Sequence, residues 1–404
     1  MCTCSAEGLI AFRRTVLAFW RGEALRLRKA EVELHSALHL DVEAIVGGKS
    51  LLLFGAMLRR AGFPSADPLV HCLSTGFPLA GDFPETGVLP PTERSALLSV
   101  RDLWADADAI RRRVLGACRG SGDAALDSRL FEVTEDEVKK GWLRGPLGSN
   151  ELKQLGCWIP SRRFAVMQGE KLRPIDDYSC SQVNSAVSMT ETIDPSDVDH
   201  IVSNARVHAD ALVAEDDCRS PLSEFVALRR HPDLAGAELL GRLWDIASAY
   251  RHLAVRPSQA ELAVVAVWNP AAGRAELFQQ MSMPFGASAS VLAFNWVAYG
   301  LNLLLTVLLV IGSTNFYDDF TILEVSTLLD SACETVDGMF ELLGWPLKPL
   351  PCFSTRPAPL GAVLDLSGAR SGVIRAENRP ERSAELGADI EKFVGQMRCN
   401  RTPS

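Results

Sequence analysis

One stretch limits what this chain can fold into more than any other. The run WVAYGLNLLLTVLLVIG, residues 296–312, is almost wholly apolar, and it is followed at once by NFYDDF, residues 315–320. A run of that length reads first as a membrane span. Gly300 and Asn302 interrupt it, however, flanking Lys and Arg anchors are missing, and β-branched residues gather at its end in TVLLVI. These features predict a buried helix through about residue 304 and then a buried strand, with no membrane. Apolar residues flank Asp318 and Asp319 on both sides, LLVIGSTNFY before and FTILEV after, which reads as strand, tight turn, strand. Ionised carboxylates beside so much apolar surface need charge partners or a metal ion, unless they form the solvated tip of an ordinary turn.

The remaining composition narrows the class. The chain has 404 residues, enough for two or three domains, and its 47% hydrophobic and 23% charged residues are those of a globular protein. A net charge of −9 argues against coating nucleic acid through bulk charge, but a local basic channel is compatible with it. The ten cysteines include no CxxC pair, so a zinc site is not expected. Arg13 and Arg14 break the first apolar run and no small-residue cleavage site follows it. Reduced thiols in an intracellular protein, cytoplasmic or nuclear, are the expectation. His35 and His39 have the spacing of one helix face, and Ser36 stands where a zinc protease would need Glu.

Along the chain, residues 9–60 carry helical periodicity, and 62–95 are rich in Pro and Gly and read as a loop or linker. A second helical block covers about 94–118, where Arg111, Arg112 and Arg113 read as a solvated face. Residues 132–156 read as two short helices broken at Gly145-Pro146, with Thr134 and Glu137 spaced as a capping box. From about 157 to 366 short β-like runs, turns and helices alternate, with a hairpin near 259–283 turning at Asn269-Pro270. The tail, 367–404, is polar, with helical periodicity near 382–397.

A third carboxylate joins Asp318 and Asp319. Asp245, in RLWDIASAYRH, stands where a strand gives way to helix, as a cap or as a metal ligand at a sheet edge. Two or three aspartates from different strands suit Mg²⁺ held with substrate phosphates, and two such ions suit in-line phosphoryl transfer. Between them lies MSMPFGASAS, a Pro/Gly turn of small residues that lets a flat partner approach the backbone. Upstream, KLRPIDDYS follows Arg162-Arg163. Its basic residues suit a triphosphate, and Asp176 and Asp177 equally suit surface ion pairs with them.

The order of these pieces resembles one family. RPIDDYS, then D-x-x-x-A-Y-R-H, then PFG with small residues, then F-x-D-D, then LGW and a lysine, then PLG, is similar to the motif succession of reverse transcriptases, most of all those of gypsy-like and DIRS-like retroelements, over about 132 to 366. The resemblance implies an α+β right-hand polymerase with fingers and palm, the palm an antiparallel ferredoxin-like sheet packed on helices. It implies a helical N-terminal region at 1–131, fingers at 132–244, palm at 245–366, and a short tail or partial thumb at 367–404. Asp245, Asp318 and Asp319 match the catalytic carboxylates that hold two Mg²⁺ ions, with Mn²⁺ as a substitute, and the Ile246 carbonyl reaches the same metal. Tyr250 matches the aromatic gate that rejects a 2′-hydroxyl. Arg173, assisted by Lys171, matches the arginine on the incoming triphosphate. Phe285 and Gly286 match the loop against the nascent base pair, and Asn184 the asparagine near the fingers arginine. Lys348 matches the lysine near the leaving pyrophosphate, a general acid. The implied partners are an RNA or DNA template with primer and deoxynucleoside triphosphates. An RNA-dependent RNA polymerase and an inactive or truncated retroelement remnant stay open beside this reading, because the segment between LGW and Lys348 is shorter than the family's and little length follows for a thumb.

Overall fold

In the computed structural model, residues 5–195, 197–212 and 236–379 are described, together with Ala384, Gly387, Ile390 and Glu391. Helices α1 (Ala6–Ala37), α2 (Leu40–Val46), α3 (Leu51–Ala61) and α4 (Ala66–Thr75) open the chain, followed by strands β1 (Gly81–Asp82) and β2 (Pro91–Arg94). Next come α5 (Val100–Ala105), α6 (Ala107–Ala117), α7 (Ala124–Lys139), β3 (Leu143–Arg144) and α8 (Ser149–Leu155). Strands β4 (Pro160–Gln168), β5 (Lys171–Asp177) and β6 (Val187–Glu191) precede α9 (Val198–Leu212). Then follow β7 (Leu239–Asp245), β8 (Val264–Asn269), β9 (Arg274–Gln280) and α10 (Ser288–Leu303). The hairpin β10 (Gly312–Phe316) and β11 (Asp319–Val325), helix α11 (Leu329–Leu343), and a last hairpin β12 (Ala362–Asp365) and β13 (Arg375–Asn378) complete it. The class is α+β. The helical periodicity near 382–397 lies almost wholly outside the described residues.

The oily run is a buried helix as its pattern predicts, but its β-branched end, TVLLVI, is not the predicted strand, which begins only at Gly312. It enters as α10, continues through a π-helical turn at Leu304–Leu308, and becomes β10. The helix is long and apolar enough by composition to cross a membrane, yet most of it is packed inside the protein, with Phe294, Trp296, Val297, Leu301, Leu304 and Leu305 fully buried. Burying each such side chain contributes about 1.5–3 kcal/mol, so apolar residues all round a helix are explained by neighbours on every side.

Two sheets position everything that follows. One has five strands in the order β3-β9-β8-β4-β5, antiparallel except for β4 beside β8. The other has three antiparallel strands in the order β10-β11-β7. The faces of this second sheet alternate as a doubly covered sheet must. Trp244, Phe320 and Ile322 enter the main core, and Leu239 and Leu323 enter a smaller one with Ile201, Ala205 and Ala209 of α9. A ferredoxin-like sheet has a fourth strand. Among the described residues only two isolated bridges, Ile246–Leu347 and Gly241–Ser354, line the free edge of β7.

Several local expectations change. The stretch 62–95 is no linker: it contains α4, and Phe63, Leu69, Leu73, Phe77 and Leu79 enter the main core. That core runs from Trp20 to Trp345, so the N-terminal helices and the central sheet share one interior. A division between residues 244 and 245 would cut through β7. His35 and His39 do not share a helix, because α1 ends at Ala37 and His39 caps α2. The helix expected to begin at Thr134 begins ten residues earlier, capped by Asp123, and Thr134 bonds back to the Leu130 carbonyl at 2.9 Å. Arg111 and Arg113 are not simply solvated. They donate to the carbonyls of Trp158 and Cys180, each at 2.8 Å, and tie α6 to the neighbouring chain.

Candidate active site

The site begins with strand register. Asp319, the first residue of β11, lies directly opposite Asp245, the last of β7, so both side chains leave the same face of the sheet. Asp318 stands in the two-residue turn between Phe316 and Asp319. Tyr317, the other turn residue, has φ +52°, a conformation that glycine adopts freely and that costs a tyrosine about 1–2 kcal/mol. The Asp318 carbonyl accepts from Ile246 N–H at 3.1 Å, which fastens the turn to the end of β7. Ile246 itself is fully buried.

The electrostatics follow from that crowding. Burial, and next the charge of Asp245, raise the Asp318 carboxyl above its ordinary range, against the opposing charges of Lys348 and Arg173. Burial, then Asp318 and Asp245, push Asp319 up to about 6. Asp245 Oδ1 is buried with no hydrogen-bond partner, while Oδ2 accepts from Lys348 Nζ at 2.5 Å. The Lys348 amide also donates to the Asp245 carbonyl at 2.8 Å. Lys348 is thus held on Asp245.

The other residues expected to bind nucleotide divide into two groups. Tyr250 and Phe285 meet, ring centroids 4.9 Å apart, and Tyr250 also meets Phe294 at 5.4 Å. Burial, and then the charge of Asp318, raise the Tyr250 hydroxyl, so its ring sits within electrostatic reach of the turn. Gly286 has φ +108°, and a Cβ there would lie 2.1 Å from the Asp176 carbonyl oxygen, so only glycine fits. Asn184 clamps the same loop, donating to the Gly286 carbonyl and accepting from Ser288 N–H, both at 2.9 Å. Arg173 and Lys171 stand apart on the exposed part of β5, where Arg173 bonds Gln168 and Lys171 flanks the Gly169-Glu170 turn.

Sequence reasoning missed a group beneath these. Asp176 is not on the surface but completely buried, bonded twice by Arg163 at 2.7 and 3.1 Å. Arg163 also donates to Glu137 at 2.7 Å, and Glu137 accepts from Arg251 at 2.7 Å. Glu137 stood out from Glu135 and Asp136 only as a capping-box partner of Thr134, a role it does not have. Only helical phase inward from Asp123 separates them.

Among the described residues no three His, Cys, Asp or Glu side chains converge as a ready metal cage. The residues nevertheless fit divalent cations of the Mg²⁺ type, which take few protein carboxylates and complete their shell with water and phosphate. The unpartnered Oδ1 of Asp245 and the raised carboxyls opposite it are what an added positive charge would relieve.

No family model matches the chain, and no curated protein matches it. Among solved structures it is similar to a foamy viral protease-reverse transcriptase in complex with double-stranded DNA, with TM-score 0.44 and 12% identity over 70% of this chain and 49% of that one. It is also similar to the dRH form of that protein with double-stranded DNA, with TM-score 0.42 and 12% identity over 64% of this chain and 36% of that one. The chain therefore spans half or less of the length of these structures.

Proposed function

We propose that this chain is an RNA-directed DNA polymerase that adds deoxynucleotides to a primer 3′-end by two-metal phosphoryl transfer. The observation that carries the reading is the Asp245–Asp319 cross-strand pair with Asp318 in the adjoining turn, one end of Asp245 unpartnered. In this reading Asp245, Asp318 and Asp319, with the Ile246 carbonyl, hold two Mg²⁺ ions, which when bound neutralise the charge on the attacking and leaving oxygens. Mn²⁺ would substitute. The protein's own work is positioning. Arg173, with Lys171, grips the triphosphate. The loop at Phe285 and Gly286 lies against the nascent base pair, held there because the absence of a Cβ at 286 lets it pack on the Asp176 backbone. Tyr250, fixed between Phe285 and Phe294, lies under the sugar and excludes a 2′-hydroxyl. Lys348 leaves Asp245 and gives its proton to the departing pyrophosphate. Residues 132–238 then act as fingers and 239–366, with β7 kept whole, as palm, on a template of RNA or DNA, in the cytoplasm or nucleus.

One observation favours a second reading. The Lys348–Asp245 ion pair fills a position that the reaction needs free, as in a remnant that keeps the fold without turnover. Primer extension on RNA and DNA templates with Mg²⁺ or Mn²⁺ separates the two. The wild type should extend, Asp318→Asn should lose at least about 10³-fold in rate while melting at the same temperature or higher, and Lys348→Ala should stay within about 10²-fold. Normal extension by Asp318→Asn would end the assignment. An inert wild type would favour the remnant.

A further inference from the structure

Five buried side chains form a closed ring. Arg163 donates to Asp176 and to Glu137, Glu137 accepts from Arg251 at 2.7 Å, Arg251 donates to Gln280 at 2.7 Å, and Gln280 donates back to Asp176 at 2.6 Å. None is more than 6% exposed. The ring holds two cations and two anions, so its charge is balanced, and buried charges persist only when so paired. Its members come from five segments: α7, β4, β5, β9 and the 3₁₀ turn Ala249–His252.

What the ring touches gives it a use. Arg251 follows Tyr250 directly, and its guanidinium lies 5.7 Å from the Phe285 ring. The Asp176 amide donates to the Phe285 carbonyl at 3.0 Å, and the Asp176 carbonyl faces Gly286. Asp176 is the next-to-last residue of the strand on which Arg173 stands. The ring therefore ties the strand of the triphosphate-binding arginine to the Tyr250–Phe285 pair. Glu137 is the link between its two arginines, one carboxylate oxygen to each. A glutamine there would turn an N–H toward one guanidinium, donor against donor.

We infer that Glu137, through Arg163 and Arg251, is a positioning residue that fixes the distance between Arg173's strand and the Tyr250–Phe285 pair and thereby sets nucleotide affinity and sugar selection; this rests on the polymerase reading above. Glu137→Gln should raise the KM for a deoxynucleoside triphosphate roughly tenfold and lower the preference for deoxy- over ribonucleotide by a similar factor, with kcat changed about threefold or less. Hydrogen exchange at the Asp176 amide should quicken roughly tenfold while that of β11 stays as it was. The double variant Glu137→Gln/Arg251→Met restores charge balance and leaves Arg163 with Asp176. With its melting temperature recovered, it should still show the raised KM and the fast Asp176 amide. Unchanged KM and exchange in Glu137→Gln, or recovery of both with stability in the double variant, would make the ring merely structural and overturn the inference. Should the wild type fail to extend primers, the polymerase reading falls alone, and the exchange result in the two variants decides the coupling.

Discussion

Tyr250 shows how one residue takes its role from its surroundings. Its ring is wedged against Phe285 at 4.9 Å and Phe294 at 5.4 Å, so in the proposed polymerase it would have little freedom to turn aside for a larger sugar. A blocking ring of this kind discriminates by sterics, and removing it leaves the deoxynucleotide's own contacts in place. Tyr250→Ala should therefore raise kcat/KM for ribonucleotides roughly 10- to 200-fold with little change for deoxynucleotides. Competition between a ribo- and a deoxynucleoside triphosphate measures this, and an unchanged ratio removes the gate. Asp318 and Asp319 stood out in the sequence because apolar flanks make a carboxylate conspicuous, and Asp245 because it closes a strand-like run, whereas Tyr250 was singled out only by the order of the motifs. The residues around them were harder to read. Asn184 was matched by the order of the motifs alone and Glu137 read as a helix cap, and only the folded sheets show Asn184 on the Gly286 loop and Glu137 buried between two arginines.

At the scale of elements, α1 is fastened to the sheet that bears the aspartates. Arg13 is fully buried, and its Nη2 donates to Glu324 of β11 at 2.6 Å and to the Val310 carbonyl at 2.7 Å. Nε donates to the Leu309 carbonyl at 3.2 Å. The arginine thus meets the chain where the π-helical turn ends and holds Val310, which has φ +52°. Arg13→Met removes a fully buried ion pair and two bonds to backbone carbonyls at once, so it should destabilise by about 3–5 kcal/mol, and Arg13→Met/Glu324→Gln should recover part of that. Urea unfolding of the two variants checks it, and a single-variant loss below about 1 kcal/mol would show that the pair does not hold α1. In the sequence Arg13 merely interrupted an apolar run. In the run at 296–312 the helix was legible from apolar residues on every face, but the β-branched residues at its end misled, because Leu304–Leu308 extend the helix as a π-helical turn and the strand starts at Gly312. Helix α4 was hidden because its brackets, Gly62 and Gly76, and its Pro68 are loop residues by composition. In place, Pro68 occupies the first helical turn, where a missing N–H costs nothing, and Gly62 and Gly76 take positive φ at the helix ends.

The whole molecule is closed by a lysine. Lys49, in the turn between α2 and α3, is 5% exposed, and its amine donates to the Gly344 carbonyl at 3.1 Å and to His252 Nδ1 at 3.3 Å. His252 in turn bonds the Ala247 carbonyl at 2.7 Å through Nε2, which leaves Nδ1 as the acceptor of a neutral ring. Three distant segments therefore meet at two bases. The Trp345 ring, 3.9 Å from the amine, favours the cation, but burial outweighs it and lowers Lys49 to about 7. Burial, and then Lys49, lower His252 to about 4. Both values lie below those of the unfolded chain, about 10.4 for Lys and 6.5 for His. Between about 7 and 10.4 the unfolded chain holds a proton on Lys49 that the folded chain lacks, so stability rises with pH across that window. The same holds for His252 between about 4 and 6.5, where stability is lost on acidification. Because the charge of Lys49 helps to lower His252, Lys49→Met removes the first window and narrows the second. Its unfolding free energy, measured from pH 7 to 10, should climb less steeply than that of the wild type by close to one proton's slope, and its stability at pH 7 should equal or exceed the wild type's. Parallel curves for the two proteins would mean that Lys49 stays charged at the junction of α2, the 3₁₀ turn Ala249–His252 and the end of α11.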